Sequence, residues 1–372
     1  MRFIFVFSLC CLVQPFRLAA ADKKRVASLS VAIHIQPDTI PKASKTALKK
    51  STISFTAVGD IMLGSNYPNQ SGLPPLDGKY LLSEVDSLLK STDVTFGNLE
   101  GTFMDSGGIP KGSGPNLYCF RQPKKYAVRF KESGFDFLSI ANNHINDFGP
   151  SGISSTVRTL SNYGLNFGGI PSSPYSIIIR DSLKIGFIAF APHSGCLDLN
   201  DEQNARAMVK ELKAKCDILM VSFHGGAEGT SHQHVTRRRE YFFGQDRGNV
   251  YDFSHMMIDA GADIVIGHGP HVARGIELYK SRIIAYSLGN FCTYGQFNLK
   301  GVSGVAPLLQ FEVDRTGNFQ QGRIHSFRQL KEGGPVRDME NSAASNITVL
   351  SRQDFPQNPI TIDEKGFILV QK

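Results

Sequence analysis

From Thr52 onward, short apolar runs recur along the chain, and most of them stop at a glycine, asparagine or histidine. ISFTAVGD (53–60), DVTFGNLEG (93–101), FDFLSIANNH (135–144), CDILMVSFHGG (216–226), ADIVIGHGPH (262–271) and RIIAYSLGNF (282–291) each read as a strand that ends in a loop. Between them, apolar positions at helical spacing predict helices over 80–91, 123–133, 152–164, 202–215 and 252–261. Two apolar runs around a polar turn predict a hairpin within 176–191. Another pair of strands is predicted around the Asp-Arg-Thr-Gly-Asn turn at 314–318. The tail after 332 reads as short strands and loops. Strands alternating with helices predict a layered α/β fold, its sheets buried by helices. In such folds the loops after the strands gather on one edge, where sites are built.

The N-terminus has a different pattern. MRFIFVFSLCCLVQPFRLAAAD combines Arg2, an apolar stretch from Phe3 to Val13 and the small residues Ala19–Ala20–Ala21 before Asp22. The apolar stretch is short for a membrane span, and the whole reads as a secretory signal peptide over 1–21. Residues 22–51 are polar and basic, with Pro37 and Pro41, and read as a linker. A main domain over 52–330 and a C-terminal extension over 331–372 complete the division. The expected localisation is therefore exported: periplasmic, cell-surface or secreted.

Composition changes this picture little. Of 372 residues, 41% are hydrophobic and 20% charged, which is ordinary for a globular protein. The net charge of +7 is mild, and no basic stripe interleaved with aromatics appears, so nucleic acid is not expected as a partner. Cys119, Cys196, Cys216 and Cys292 follow the signal segment; four scattered cysteines in a large domain do not make a disulfide framework.

The strand ends carry the chemistry. They offer Asp60; Asn98 and Glu100; Asn142, Asn143, His144 and Asp147; His224 and Glu228; His268 and His271; and Asn290. Singly, each has a bland reading as turn chemistry, a helix cap or a hydrogen-bonded core residue. Together they place acids, amides and imidazoles at one edge of one sheet system. Those are ligand types for hard-to-borderline divalent metals, and the absence of cysteine among them disfavours a closed structural zinc site. A strand before Gly267 and the Gly269–Pro270 pair after His268 would hold His268 and His271 on a stiff backbone.

The ordered motifs GDIMLG, NLEG, ANNHINDFG, FHGGAE, GADIVIGHGPHV and YSLGNF, over roughly 53–295, resemble the CapA family of capsule or poly-γ-glutamate biosynthesis proteins, which is related to calcineurin-like metallophosphoesterases. The resemblance implies a layered β-sandwich flanked by helices. It implies one or two divalent ions (Mn, Fe or Zn) held by Asp60, Glu100, Asn143, His224, His268 and His271. His144 takes the place of the residue that contacts the leaving group. Asn142, Asp147, Glu228 and Asn290 remain as residues that orient ligands or meet substrate. Two positions depart from the pattern. Met62 stands where the phosphoesterases have a histidine, and Glu100 stands where an aspartate is usual.

The leading expectation is an exported metal-dependent hydrolase in capsule or poly-γ-glutamate biosynthesis, with a metal-activated water attacking a phosphoryl or acyl centre. Amide or γ-glutamyl hydrolysis would use the same groups. The rival is a non-catalytic component that binds, anchors or exports an anionic polymer such as poly-γ-glutamate. The expected partner is thus an anionic polymer or a small anionic substrate, with membrane-associated capsule machinery as a further candidate. Lys111, Arg121, Arg237 to Arg239 and Arg247, in the loops 102–122 and 227–250, are available to anions, and each is expected at the solvated surface.

Overall fold

The run Thr52–Met62 forms a strand at the heart of the first of two large sheets. In the computed structural model of the protein, residues 50–371 are described, apart from 113, 115, 116, 331 and 332. The expected signal peptide and nearly all of the linker lie outside the described residues.

Thr52–Met62 pairs in parallel with Val94–Leu99, which pairs with Phe137–Ser139, which pairs with Asn166–Gly168. On its other side it pairs antiparallel with Val305–Asp314, and that strand with Phe319–Gln329. The second sheet runs Ile276–Tyr279, Arg282–Ala285, Ile264–His268, Ile218–His224, Leu183–Phe190, Tyr175–Arg180. Its four inner strands are parallel and its two edges antiparallel. The hairpin expected within 176–191 is the antiparallel edge pair Tyr175–Arg180 and Leu183–Phe190.

The two sheets face each other through one apolar core. Phe55, Phe96 and Phe137 from the first meet Phe187, Met220, Ile264 and Ile266 from the second, all fully buried. The ring centroids of Phe96 and Phe187 are 5.3 Å apart. The outer faces are buried too. Ile61, Leu99 and Leu138 pack with Phe130 of the helix Ala127–Glu132 and Leu160 of the helix Gly149–Asn162. Leu219, Val221 and Val265 pack with Val209 and Leu212 of the helix Glu202–Lys213 and with Phe253 and Met257 of the helix Val250–Asp259. Burial on both faces is why these strands read as continuous apolar runs rather than as alternating ones. The fold is α/β: two sheets stacked face to face with helices outside.

Three elements differ from the sequence reading. The helix expected over 80–91 narrows to Asp86–Leu89. Before it, Leu81, Ser83 and Val85 donate their N–H groups three residues back, so the chain winds as tight turns while still burying Leu81, Leu82, Val85 and Leu89. The run 282–291 is two strands: Arg282–Ala285 in the second sheet and Asn290–Thr293 in the first, parallel to Thr52–Met62. The tail is more than short strands and loops, for Ser342–Asp354 is a helix. Its buried Ala343, Ala344, Ile347 and Leu350 join the core between the sheets and its flank, and Phe367–Val370 adds a strand beside Phe319–Gln329. Serine, asparagine and threonine on its outer face are indifferent helix formers and hide it in the sequence.

The four cysteines of the domain are free. No helix of the described residues is long and apolar enough to cross a membrane.

Candidate metal centre

Parallel pairing brings the strand ends to one place. Asp60 lies opposite Asn98 in the first sheet, and His268 opposite His224 in the second. All four are fully buried. Asn142 donates to Asn98 Oδ1 (3.1 Å) and to Leu99 O (2.8 Å), and Asn98 Nδ2 donates to Asp60 Oδ1 (2.8 Å). This amide relay fixes the Asp60 carboxylate before any ligand arrives. Sequence reasoning gives Asn98 no role; its place opposite Asp60 on the neighbouring strand is what confers one.

His268 and His271 reach Asp60 from its two oxygens. His268 Nδ1 is 3.2 Å from Oδ1, and His271 Nδ1 is 3.0 Å from Oδ2. Asn290, opposite Asp60 in the third pairing strand, sets His271 in place. Its Oδ1 is 3.1 Å from Nδ1, and its Nδ2 donates to His271 O and Ser303 O. His271 Nε2 then lies 3.5 Å from Glu100 Oε1 and 3.9 Å from Glu228 Oε2. Among the described residues, one group of candidate ligands comes together: atoms of Asp60, Glu100 and His271 all within 4.8 Å of one another. His224 and His268 flank it rather than join it. Asn143 is half-buried beside it.

The electrostatics are those of acids crowded out of water. Burial pushes Glu100 well above the usual carboxyl range, reinforced by Asp60 and Glu228. Burial would do the same to Asp60, but contacts with His268 and His271 hold it well below its ordinary value. His271 loses by burial and gains more from Glu100 and Asp60, and is pushed up to about 10. Burial takes His224 well below its ordinary value; Asp60 opposes the shift, and Arg247 adds to it.

These residues fit a cation. Both Glu100 oxygens, Asn143 Oδ1, His224 Nε2 and His268 Nε2 are buried and have no hydrogen-bond partner among the described residues, whereas Asp60 Oδ2 is met by His271 Nδ1. Buried polar atoms are rarely left so. Oxygen and imidazole donors without thiolate suit a divalent metal of the Mn, Fe or Zn kind. Met62 supplies nothing: it is fully buried, and its sulfur accepts from Gly64 N at 3.1 Å.

His144 stands beside this group with its Nδ1 2.8 Å from Asp147 Oδ2 and its Nε2 3.9 Å from Glu100 Oε1. Asp147 is itself held by Phe120 N (2.6 Å) and Lys111 Nζ (2.6 Å), and Lys111 also donates to Asn143 O (2.9 Å). Lys111 is thus tied into the site. Burial lowers His144, and Asp147 opposes the shift.

One expectation is overturned among the basic residues. Arg247 is 1% exposed and paired with Glu228 at 2.7 Å, not solvated. A missed residue is His193, in the loop after Leu183–Phe190. Its ring is 5.9 Å from that of His224, and burial together with Arg247 brings it down to about 3. Its signal in the sequence was weak: a histidine three residues beyond a strand, with no glycine next to it.

Residues 54–294 match the family model described as bacterial capsule synthesis protein PGA_cap. The chain belongs to this family. Among PGA_cap relatives, the capsule biosynthesis protein CapA of Bacillus anthracis is 29% identical over 261 residues, covering 64% of this chain and 59% of that protein. The PGA biosynthesis protein CapA of Bacillus subtilis (strain 168) is 28% identical over 257 residues, covering 64% and 63%. The match therefore spans less than two thirds of the length of these relatives. Among solved structures, a hypothetical protein from Thermus thermophilus covers 75% of this chain and all of its own at 14% identity, with a TM-score of 0.46. A calcineurin-like phosphoesterase from Bacillus subtilis covers 82% of this chain and 97% of its own at 12% identity, with a TM-score of 0.41. The PGA_cap match spans every strand end that feeds the candidate metal centre, from Asp60 to Asn290.

Proposed function

We propose that this PGA_cap protein is an exported metal-dependent hydrolase that acts on an anionic polymer or its precursors in capsule or poly-γ-glutamate biosynthesis. The observation that carries the reading is the convergence of Asp60, Glu100 and His271 at the ends of strands from both sheets, with the two acids fully buried and neither Glu100 oxygen hydrogen-bonded. Asp60, Glu100 and His271 would hold a divalent ion; Asn143, His224 and His268 are further donors. When bound, such an ion activates water and polarises a phosphoryl or acyl oxygen.

The chain's own groups supply the rest. The Asn142–Asn98 relay keeps Asp60 oriented without rearrangement. Asp147 keeps a proton on His144 Nδ1, which leaves Nε2 facing the centre. As the imidazolium, whose charge Asp147 favours, His144 carries a second proton on Nε2, and that proton can pass to a departing oxygen or nitrogen while Nδ1–H stays bonded to Asp147. Lys111 and the Phe120 N–H hold Asp147 in turn. The Phe120 ring, tilted by 32° against that of His144 with centroids 4.2 Å apart, shields this pair from water. The same groups serve a phosphate ester or a γ-glutamyl amide. Export is part of the proposal, resting on the signal-like segment 1–21.

The test is turnover of a phosphate monoester and of a γ-glutamyl amide by chelator-treated protein with Mn, Fe or Zn restored. Metal-dependent hydrolysis of either supports the reading. Stoichiometric polymer binding with no turnover of either would transfer the argument to the polymer-binding component.

A further inference from the structure

Arg247 and Arg274 are the largest fully buried side chains, and the fold treats them differently. Arg274 is fully used. Its Nη1 and Nη2 donate to Glu240 at 2.9 and 2.7 Å, Nη2 also reaches Ala227 O, and Nε donates to His232 O at 2.8 Å. Arg247 donates once, from Nη1 to Glu228 Oε1 at 2.7 Å. Its Nε and Nη2 are buried and have no hydrogen-bond partner among the described residues. Those two N–H groups make up the side-on edge of the guanidinium, whose parallel donors match two oxygens of one oxyanion. A buried cation with that edge unmade is costly, so the edge calls for a partner.

Its position says what kind. Gly226 N donates to Arg247 O at 2.8 Å, which ties Arg247 to the loop directly after His224. Through Glu228 it reaches the candidate centre, since the second Glu228 oxygen is 3.9 Å from His271 Nε2. His193, its ring 5.9 Å from that of His224, has an Nε2 that is likewise buried and unpartnered among the described residues. The charge of Arg247 is felt at His193, His224 and Glu100 alike.

We infer that the Nε–Nη2 edge of Arg247 is an oxyanion subsite beside the metal centre that receives a carboxylate or phosphoryl group of the substrate. This inference rests on reading the Asp60–Glu100–His271 group as the reaction centre of a hydrolase. It makes Arg247 a substrate-binding residue, one that selects anionic substrates by two parallel hydrogen bonds rather than by net charge.

The experiment is a calorimetric titration of the full chain with inorganic phosphate and, separately, with glutarate. Each is run with Mn present and with chelator, on wild type, Arg247→Lys and Arg247→Met, with folding checked by circular dichroism and metal content measured on the same samples. The Lys variant keeps the charge and loses the planar edge. Arg247→Lys should bind the preferred anion about tenfold more weakly or worse, with metal or without. Preference for phosphate or for glutarate then identifies the group received. Equal affinity in wild type and Arg247→Lys overturns the subsite, as does wild-type protein that binds neither anion. Arg247-dependent binding by wild-type protein that takes up no metal leaves the subsite standing and removes the metal-centre reading instead.

Discussion

Gly269 separates the two histidines that approach Asp60, and replacing it should disturb stability and site together. Its φ is +115°, a backbone conformation that L side chains rarely adopt. A Cβ there would lie 2.6 Å from Gly225 O and 2.8 Å from Gly225 N. Neither neighbour can yield cheaply, because Gly225 N donates to His268 O at 2.8 Å and is part of the same junction. The conformational part of Gly269→Ala should cost about 1–3 kcal/mol, and the enforced overlap about 1–3 kcal/mol more. Gly229 supplies the control: its φ is +102°, and a Cβ there meets nothing within 4 Å. Gly229→Ala should therefore show the conformational part alone. The assay is urea unfolding of both variants, compared at unchanged m-value, with metal content read alongside. Gly269→Ala should be the less stable by about 1–3 kcal/mol and should lose metal, since relief of the overlap moves His268 or His271. Equal stability of the two variants, or full metal content in Gly269→Ala, would refute the view that this glycine lets the loop close on Gly225.

Other expectations follow from the same contacts. Asp147→Asn removes the acceptor that orients His144, and turnover should drop about 10²–10⁴-fold while metal content holds; unchanged turnover would remove His144 and Asp147 from the reaction. Ile347→Ala, at a fully buried position in the helix Ser342–Asp354, should cost about 2–5 kcal/mol in denaturant unfolding. A cost within about 0.5 kcal/mol, as at a surface site, would mean that the tail is not part of the core. His325, bonded to Gln310 at 2.9 Å, is brought from 6.5 down to about 4 by burial and then by Arg323 and Arg337. The folded state thus disfavours its protonation, so stability present above about 6.5 should fall as pH drops toward about 4. His325→Gln should flatten that decline relative to wild type, and parallel curves for the two proteins would show that His325 carries no such linkage.

The strands were legible because both faces of each are buried, which turns them into apolar runs with abrupt polar ends. The edge hairpin at Tyr175–Phe190 and the pair around 314–318 were legible from their turns. The helix Ser342–Asp354 was not, because its buried face is built from alanine and isolated aliphatics among serine, asparagine and threonine. The acids, amides and histidines of the candidate centre could be collected as strand ends, for parallel strands bring their C-termini together. Sequence could not say which of them touch. That depends on register: Asp60 opposite both Asn98 and Asn290, and His268 opposite His224. Nor could it show that Arg247 is buried, since its burial comes from the loop 227–250 folding back on Gly226.

The most direct test of the central claim is the metal content of the purified protein by elemental analysis, wild type beside Asp60→Asn, with circular dichroism to confirm that both are folded. The account predicts near-stoichiometric Mn, Fe or Zn in the wild type and its loss in the variant. A folded wild type that takes up none of these metals, or a variant that keeps its full content, would contradict it.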